Sequence, residues 1–112
     1  MQQSRALTKY VRISPRKARI AAGLIRGLGA EEALIQLQYS PLKGGDLLLK
    51  TLKSAIANAE TIHGVQRRDL RVKEVRIDPG PTIKRAKPKN RGGRVPIKKR
   101  TSHFTVVVGT ES

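Results

Sequence analysis

The chain has 112 residues, 38% of them hydrophobic and 3% aromatic, with 24 Lys or Arg against 8 Asp or Glu and a formal charge of +16. That length suits one domain with a modest core of Ala, Leu, Ile and Val; no stretch approaches the ~18 consecutive apolar residues of a membrane span, and no apolar leader follows the first charges. With no Cys there are no disulfides, thiolate nucleophiles or Cys-based zinc sites, and an intracellular protein is expected.

The first element is a strand over residues 5–13, where Leu7, Val11 and Ile13 share a face at period two and Lys9 is the odd member of that row. Ser14-Pro15 then signals a helix start, a hydroxyl N-cap followed by a residue preset for the first helical position. Ala18, Ala21, Ala22 and Ile25 form its apolar stripe, Arg16, Lys17, Arg19 and Arg26 flank it, and Gly27 and Gly29 end it. A short second helix is expected at about Ala30–Gln38, with Ala30, Ala33, Leu34 and Leu37 inward and Glu31 and Glu32 in the first turn, where the helix dipole favours anions.

Ser40-Pro41 repeats the start signal for a third helix running to about His63. Its stripe is Leu48, Leu52, Ala55, Ala59 and Ile62; Gly44-Gly45 weakens the first turn, and Gly64 is a natural stop. Residues 69–78 read as a strand whose two apolar rows, Leu70 with Val72 and Val75 with Ile77, fall out of register, so a bulge is expected near Lys73–Glu74. A last strand over Thr101–Gly109 alternates Phe104, Val106 and Val108 inward. The fold class is α+β: three helices packed on a small antiparallel sheet, in a single domain spanning residues 1–112.

Between the last two strands lies a long segment, about residues 79–100, with nine basic residues and only Ile83, Val95 and Ile97 as large apolar ones. Strand-like sequence on both sides and Gly92-Gly93 near the midpoint predict an extended hairpin arm, mobile when free and ordered when bound. Pro79, Pro81, Pro88 and Pro96 predict interrupted, irregular pairing along it.

Charge is distributed unevenly. Residues 1–29 hold seven basic and no acidic side chains, residues 30–64 three and four, residues 65–78 five and three, and residues 79–112 nine and one. Two basic ends around an ordinary middle call for a polyanionic partner. Nucleic acid fits better than anionic membrane, because no helix pairs a basic face with a Trp- or Phe-rich one. No catalytic constellation assembles: His63 reads as a helix-end dipole partner, His103 beside Lys98-Lys99-Arg100 as a phosphate or backbone partner, and the carboxylates are scattered. No enzyme activity, metal or cofactor is expected. Tyr10, Tyr39 and Phe104 form no stacking platform, so binding through phosphate and shape is expected over base readout. A DNA-architectural protein using the arm as a minor-groove clasp is the alternative.

Several ordered blocks carry a resemblance. Tyr-Val-Arg-Ile-Ser-Pro-Arg-Lys at 10–17, Leu-Ile-Arg-Gly at 24–27, Ser-Ala-x-Ala-Asn-Ala at 54–59, Gly-Pro-x-x-Lys-Arg at 80–85 and Ile-Lys-Lys-Arg-Thr-Ser-His-Phe-Thr-Val at 97–106 together resemble the bacterial large-subunit ribosomal protein number twenty-two family. The resemblance implies a cytoplasmic, non-catalytic constituent of the large ribosomal subunit that binds its ribosomal RNA, helps its assembly and lines the nascent-peptide exit tunnel with its hairpin. Implied partners are ribosomal RNA, neighbouring large-subunit proteins and the nascent polypeptide, with no membrane and no homo-oligomer.

Position by position, Arg12, Ser14, Arg16 and Lys17 would face RNA at the N-terminal block, together with the basic Arg5 and Lys9. Lys84, Arg85 and Lys87 would lie on the incoming limb, Arg91 and Arg94 at the tip, and Lys98, Lys99, Arg100 and His103 at the returning base. The tunnel-lining tip would comprise Lys87, Pro88, Lys89, Asn90, Arg91, Gly92, Gly93 and Arg94, which departs from the family's usual Pro-Arg-Ala-Arg-Gly-Arg by an extra Gly and a Lys.

Overall fold

The computed structural model describes residues 3–81, 83–88 and 94–110. Three helices, α1 (Pro15–Gly23), α2 (Ala30–Gln38) and α3 (Lys43–His63), pack on a sheet of β1 (Gln3–Val11), β2 (Leu70–Pro79) and β5 (Ser102–Thr110); β3 (Ile83–Pro88) and β4 (Arg94–Lys99) form a separate two-stranded ladder. The sheet order is β1-β5-β2, all antiparallel, so the last strand lies in the middle. That position explains why Phe104, Val106 and Val108 are all fully buried.

The capping chemistry sets the first helix. Ser14 is the N-cap, its side chain accepting from the Lys17 N–H at 3.4 Å, with Pro15 as the first helical residue. Ala18, Ala21, Ala22 and Ile25 are all buried. The helix proper ends at Gly23, earlier than the Gly27–Gly29 stop, because the chain leaves through tight turns (Leu24 N–H to Ala21 O, Ile25 N–H to Ala22 O) before Gly27, at φ 78°, turns it away. The segment then covers the free edge of β2: Val72 N–H donates to Leu28 O at 2.9 Å, and Gly29 bridges Arg71.

The second helix begins and ends where its spacing predicts. The third starts at Lys43 with Leu42 as N-cap, because the Ser40 hydroxyl accepts from the Leu42 N–H at 3.1 Å and closes a local turn instead of capping α3. Gly44 marks the crossing of α3 over α1: a Cβ there would stand 3.3 Å from Ala18 Cα, Ala21 Cβ and Ile13 Cδ1 alike. The glycine that weakens the helix locally is what lets the two helices touch. Leu48, Leu52, Ala55, Ile56 and Ala59 bury the long face of α3, and Gly64 ends it in the left-handed region at φ 66°. Ile62, expected in that stripe, is 70% exposed. The inward place in the last turn belongs to His63, whose Nε2 bonds the Gln3 carbonyl at 3.1 Å and ties the start of β1 to the end of α3.

β1 differs from its period-two reading at one residue. Ser4 and Ala6 point inward and Thr8 reaches Thr51 through a 2.7 Å hydroxyl contact, so Leu7, predicted inward, is 51% exposed. The pairing with β5 shifts between Thr8 and Val11, and Tyr10 takes φ 58°, which flips the phase and turns Val11 and Ile13 into the core. β2 carries the expected bulge: its register shifts between Val72 and Glu74, and Leu70, Val72, Val75 and Ile77 are all buried as a result.

The arm leaves the sheet between β2 and β5. Gly80 N–H donates to Thr101 O at 2.9 Å, and the Thr101 hydroxyl donates to Pro81 O at 2.7 Å, clamping its base. Beyond the clamp, β3 and β4 keep one unbroken register from Ile83↔Lys99 to Pro88↔Arg94, more regular than the prolines predict. Pro88 and Pro96 stand on rungs two steps apart, the same class of antiparallel pair, so a single register treats both alike. Extents of 63 × 25 × 17 Å and a radius of gyration of 17.0 Å exceed the ~13 Å of a compact chain this long, as an arm projecting from a body requires.

Candidate nucleic-acid interface

The body's basic residues fall into two groups by what their side chains already hold. Arg19 donates to Ile77 O at 3.1 Å, Arg26 to Val75 O at 3.0 Å and Arg71 to Gly27 O at 3.4 Å, so these guanidinium groups pin the helical layer and its loop to β2. Arg67 pairs with Glu60 at 3.3 Å and Arg76 with Glu74 at 2.8 Å. The Glu74 hydrogen bond and charge, with Asp78 adding to them, raise the Arg76 guanidinium above its usual pKa, and it stays charged. By contrast Lys50, Lys53, Arg68 and Lys73 are exposed with no side-chain hydrogen bond or ion pair among the described residues, and so are Arg5, Lys9, Arg12, Arg16, Lys17 and Arg100. Those six are the body cations that sequence reasoning assigned to RNA.

The fold draws part of that set together. Ser14, Pro15, Arg16, Lys17, Arg19, Pro79 and Arg100 line one open cleft of ≈ 600 Å³, where the N-terminus of α1 meets the base of the arm. Arg100 is remote from Ser14 in the chain, and they meet because β5 lies beside β1 and returns from the arm at the α1 end of the sheet. The first turn of α1 contains no acidic residue. A cleft walled by three cations that have no side-chain partner among the described residues, at the N-terminus of a helix, suits a phosphate by charge. Arg19 is the member that sequence reasoning missed as a site residue. Its spacing of three from Arg16 on one helix was the available signal, although its guanidinium is committed to the Ile77 carbonyl.

Arg5, Lys9 and His103 gather elsewhere, on the sheet face away from the helices, where they line a shallow groove with Leu7, Arg76, Asp78 and Thr105. His103 has the backbone partner its sequence context offered: Nδ1 accepts from the Tyr10 N–H at 3.1 Å, and the two rings meet edge to face at 5.0 Å. Nδ1 being an acceptor places the proton of the neutral ring on Nε2, on the side of the ring that faces Gly80 at the arm base. Arg12 is exposed in the turn between β1 and α1 and lines neither groove.

On the arm, Lys84, Arg85, Lys87 and Pro88 lie on β3, and Arg94, Lys98 and Lys99 on β4. The register sets Lys84 against Lys98 on one rung, a like-charge pair that a bare ladder disfavours and an anionic partner relieves. Lys89, Asn90, Arg91, Gly92 and Gly93, the centre of the expected tip, lie outside the described residues. Among the described residues no group of three or more His, Asp or Glu comes together as a metal site, and no helix is long and apolar enough to cross a membrane.

Comparison with known proteins places this arrangement. The chain is 67% identical over 108 residues to the large ribosomal subunit protein uL22 of Protochlamydia amoebophila (strain UWE25), covering 96% of this chain and 97% of that one. It is 56% identical over 105 residues to the large ribosomal subunit protein uL22 of Chlamydia pneumoniae, covering 94% and 95%. The same protein of Chlamydia trachomatis serovar L2 (strain ATCC VR-902B / DSM 19102 / 434/Bu) is 55% identical over 105 residues, again covering 94% and 95%. The sequence model of the family described as ribosomal protein L22p/L17e matches residues 6–109, and the chain belongs to that family.

Proposed function

We propose that this protein is a structural constituent of the large ribosomal subunit in the cytoplasm, without catalytic activity, that binds large-subunit ribosomal RNA through the cleft at the α1 N-terminus and through its arm. The observation that carries the reading is the meeting of Ser14, Arg16 and Lys17 with Arg100 at the arm base, where the cations are left unpaired while their neighbours are spent on carbonyls and carboxylates. Each cation brought to a phosphate releases counterions, so a surface of many such cations grips folded RNA without base readout. Arg5, Lys9, Arg12 and His103 extend the interface onto the outer sheet face. Lys84, Arg85, Lys87, Arg91, Arg94, Lys98 and Lys99 carry it along the arm.

Body and arm act as one unit. The body anchors on the RNA surface while the arm threads between RNA segments, helps hold them during assembly, and brings residues 87–94 to the wall of the nascent-peptide tunnel. The 63 Å long axis and the separate two-stranded ladder support a reach of that kind. A tip of small and basic residues with no aromatic offers a sliding chain few apolar holds.

Sedimentation of a lysate tests the placement: near-stoichiometric comigration with the large subunit after a ~0.5 M salt wash is expected. Purified protein tests the interface. Arg16→Ala, Lys17→Ala and Arg100→Ala together should weaken binding to large-subunit RNA and flatten its salt dependence by about 0.7–0.9 for each phosphate that is no longer neutralised. Undiminished binding would overturn the cleft assignment. Preference for duplex DNA over structured RNA would overturn the ribosomal reading.

A further inference from the structure

The chain has two tyrosines, both exposed, and the fold sets them differently. Tyr10 is 63% exposed, so its ring adds little to the core. It is nevertheless the one residue other than glycine with positive φ among the described residues, at 58°, a backbone state that a bulky side chain disfavours and glycine takes freely. Strain of this kind persists only where neighbours enforce it, and it gathers at functional sites. The enforcing neighbour is His103. Its Nδ1 accepts from the Tyr10 N–H at 3.1 Å, and the two rings meet edge to face, with centroids 5.0 Å apart and planes at 89°. Main chain and ring of Tyr10 are thus both tied to a single side chain. Tyr39, 77% exposed at the end of α2, has an ordinary φ of −102° and lies in a stretch, residues 27–42, without Lys or Arg.

Cations flank the Tyr10 site. His103 lines the groove on the open sheet face together with Arg5 and Lys9; the remaining cation there, Arg76, is paired with Glu74, and Asp78 is the groove's one carboxylate. An aromatic face fixed in advance beside cations suits a single unpaired base, because stacking on it costs little further ordering and every base has a face to offer. We propose that Tyr10 is a base-stacking seat: one unpaired nucleobase of large-subunit RNA lies on the exposed Tyr10 ring, with Arg5 and Lys9 on its flanking phosphates and His103 as the brace. The fold itself does not need a tyrosine at this turn, since glycine would take φ 58° more readily. What the strained position gains is a ring presented to solvent in one fixed pose. A single ring cannot carry a run of bases, so the contact adds grip at one nucleotide without reading sequence. The inference rests on the RNA binding proposed above.

The test uses the full chain bound to purified large-subunit RNA. Short-wave ultraviolet light joins a side chain only to a base in direct contact with it, and mass spectrometry of the digest should find a nucleotide adduct on Tyr10 and none on Tyr39. Tyr10→Gly suits the left-handed backbone, so the body should stay folded by circular dichroism while RNA affinity falls about tenfold. The slope of affinity against salt should not change, because no phosphate contact is lost, whereas removing a cation would flatten it. Tyr10→Phe keeps the ring face and should bind within about twofold of the unaltered chain. The seat is overturned if Tyr10 gives no adduct, if both tyrosines react equally, or if Tyr10→Gly binds undiminished or with a flattened salt slope. It is equally overturned if Tyr10→Phe binds as weakly as Tyr10→Gly, which would assign the contact to the hydroxyl. The adduct is read on the unaltered chain and decides the matter even where the glycine variant fails to fold. Binding with a steep salt slope but no Tyr10 adduct removes the seat alone. A chain that does not bind large-subunit RNA removes the functional reading and the seat together.

Discussion

In the body, every strand of the sheet has helix packed behind it, and the central strand carries Phe104, Val106 and Val108 at full burial. In the arm, β3 and β4 pair only with each other, and successive rungs set Lys84 against Lys98 and Ile83 against Lys99. A two-stranded ribbon in water is marginal at best, and one bearing like charges across a rung more so. The body therefore carries its own stabilisation, through apolar area removed from water, whereas the arm has no packed layer behind its ladder to do the same. One chain thus holds two solutions to the same entropy cost, and the Gly80–Thr101–Pro81 clamp is where they join.

The widest separation of the two regions comes from deleting residues 83–99, since the clamp already brings Pro81 and Arg100 together. Binding to large-subunit RNA should fall by about three orders of magnitude at ~0.2 M salt, because eight basic residues are removed. The unfolding free energy of the body should stay within about 1 kcal/mol of that of the full chain. A body that unfolds without the arm would erase the distinction. The converse variant is Phe104→Ala, which opens a cavity in the middle of the sheet. Equilibrium unfolding should show a loss of about 3–5 kcal/mol, with the salt slope of RNA binding unchanged under conditions where the variant is folded.

Gly80→Ala probes the joint. A Cβ there would run into the Thr101 hydroxyl and press on the His103 ring, so the clamp must open, at about 1–3 kcal/mol. Hydrogen exchange should quicken at the amide of position 80 while amides of α3 keep their protection; uniform quickening would mean that arm base and body unfold as one. The smallest effect is a gain. Ser4 Oγ is buried on β1 without a hydrogen-bond partner among the described residues, and Ser4→Ala should raise body stability by up to about 1 kcal/mol in the same unfolding experiment, with RNA affinity untouched.

How much of this was legible in the sequence depended on how far apart the deciding residues stand. The α1 start, the α2 limits, the Gly64 stop and the β2 bulge were all readable, because a cap, a stripe or a phase change is written within a turn or a few residues. The charge asymmetry was equally plain, since it needs only a count. The family blocks were in order along the chain for the same reason.

Tertiary structure decided the rest. No local pattern shows that Tyr10 adopts φ 58°, because its N–H finds the Nδ1 of His103, a partner at the far end of the chain, and this is what sent Leu7 outward and Val11 inward. Gly44 reads as a weakness in α3 until Ala18 and Ala21 are seen against it. The sequence alone also could not sort the arginines. Arg16 and Arg19 are neighbours on one helix, yet the Ile77 carbonyl takes the second and leaves the first without a partner among the described residues. Sequence settled what each segment is and that the whole is cationic, through interactions spanning a few residues. Which cations are free, and that Ser14, Arg16 and Lys17 share a cleft with Arg100, came from strand order, because pairing β5 beside β1 joins groups that no short-range rule connects.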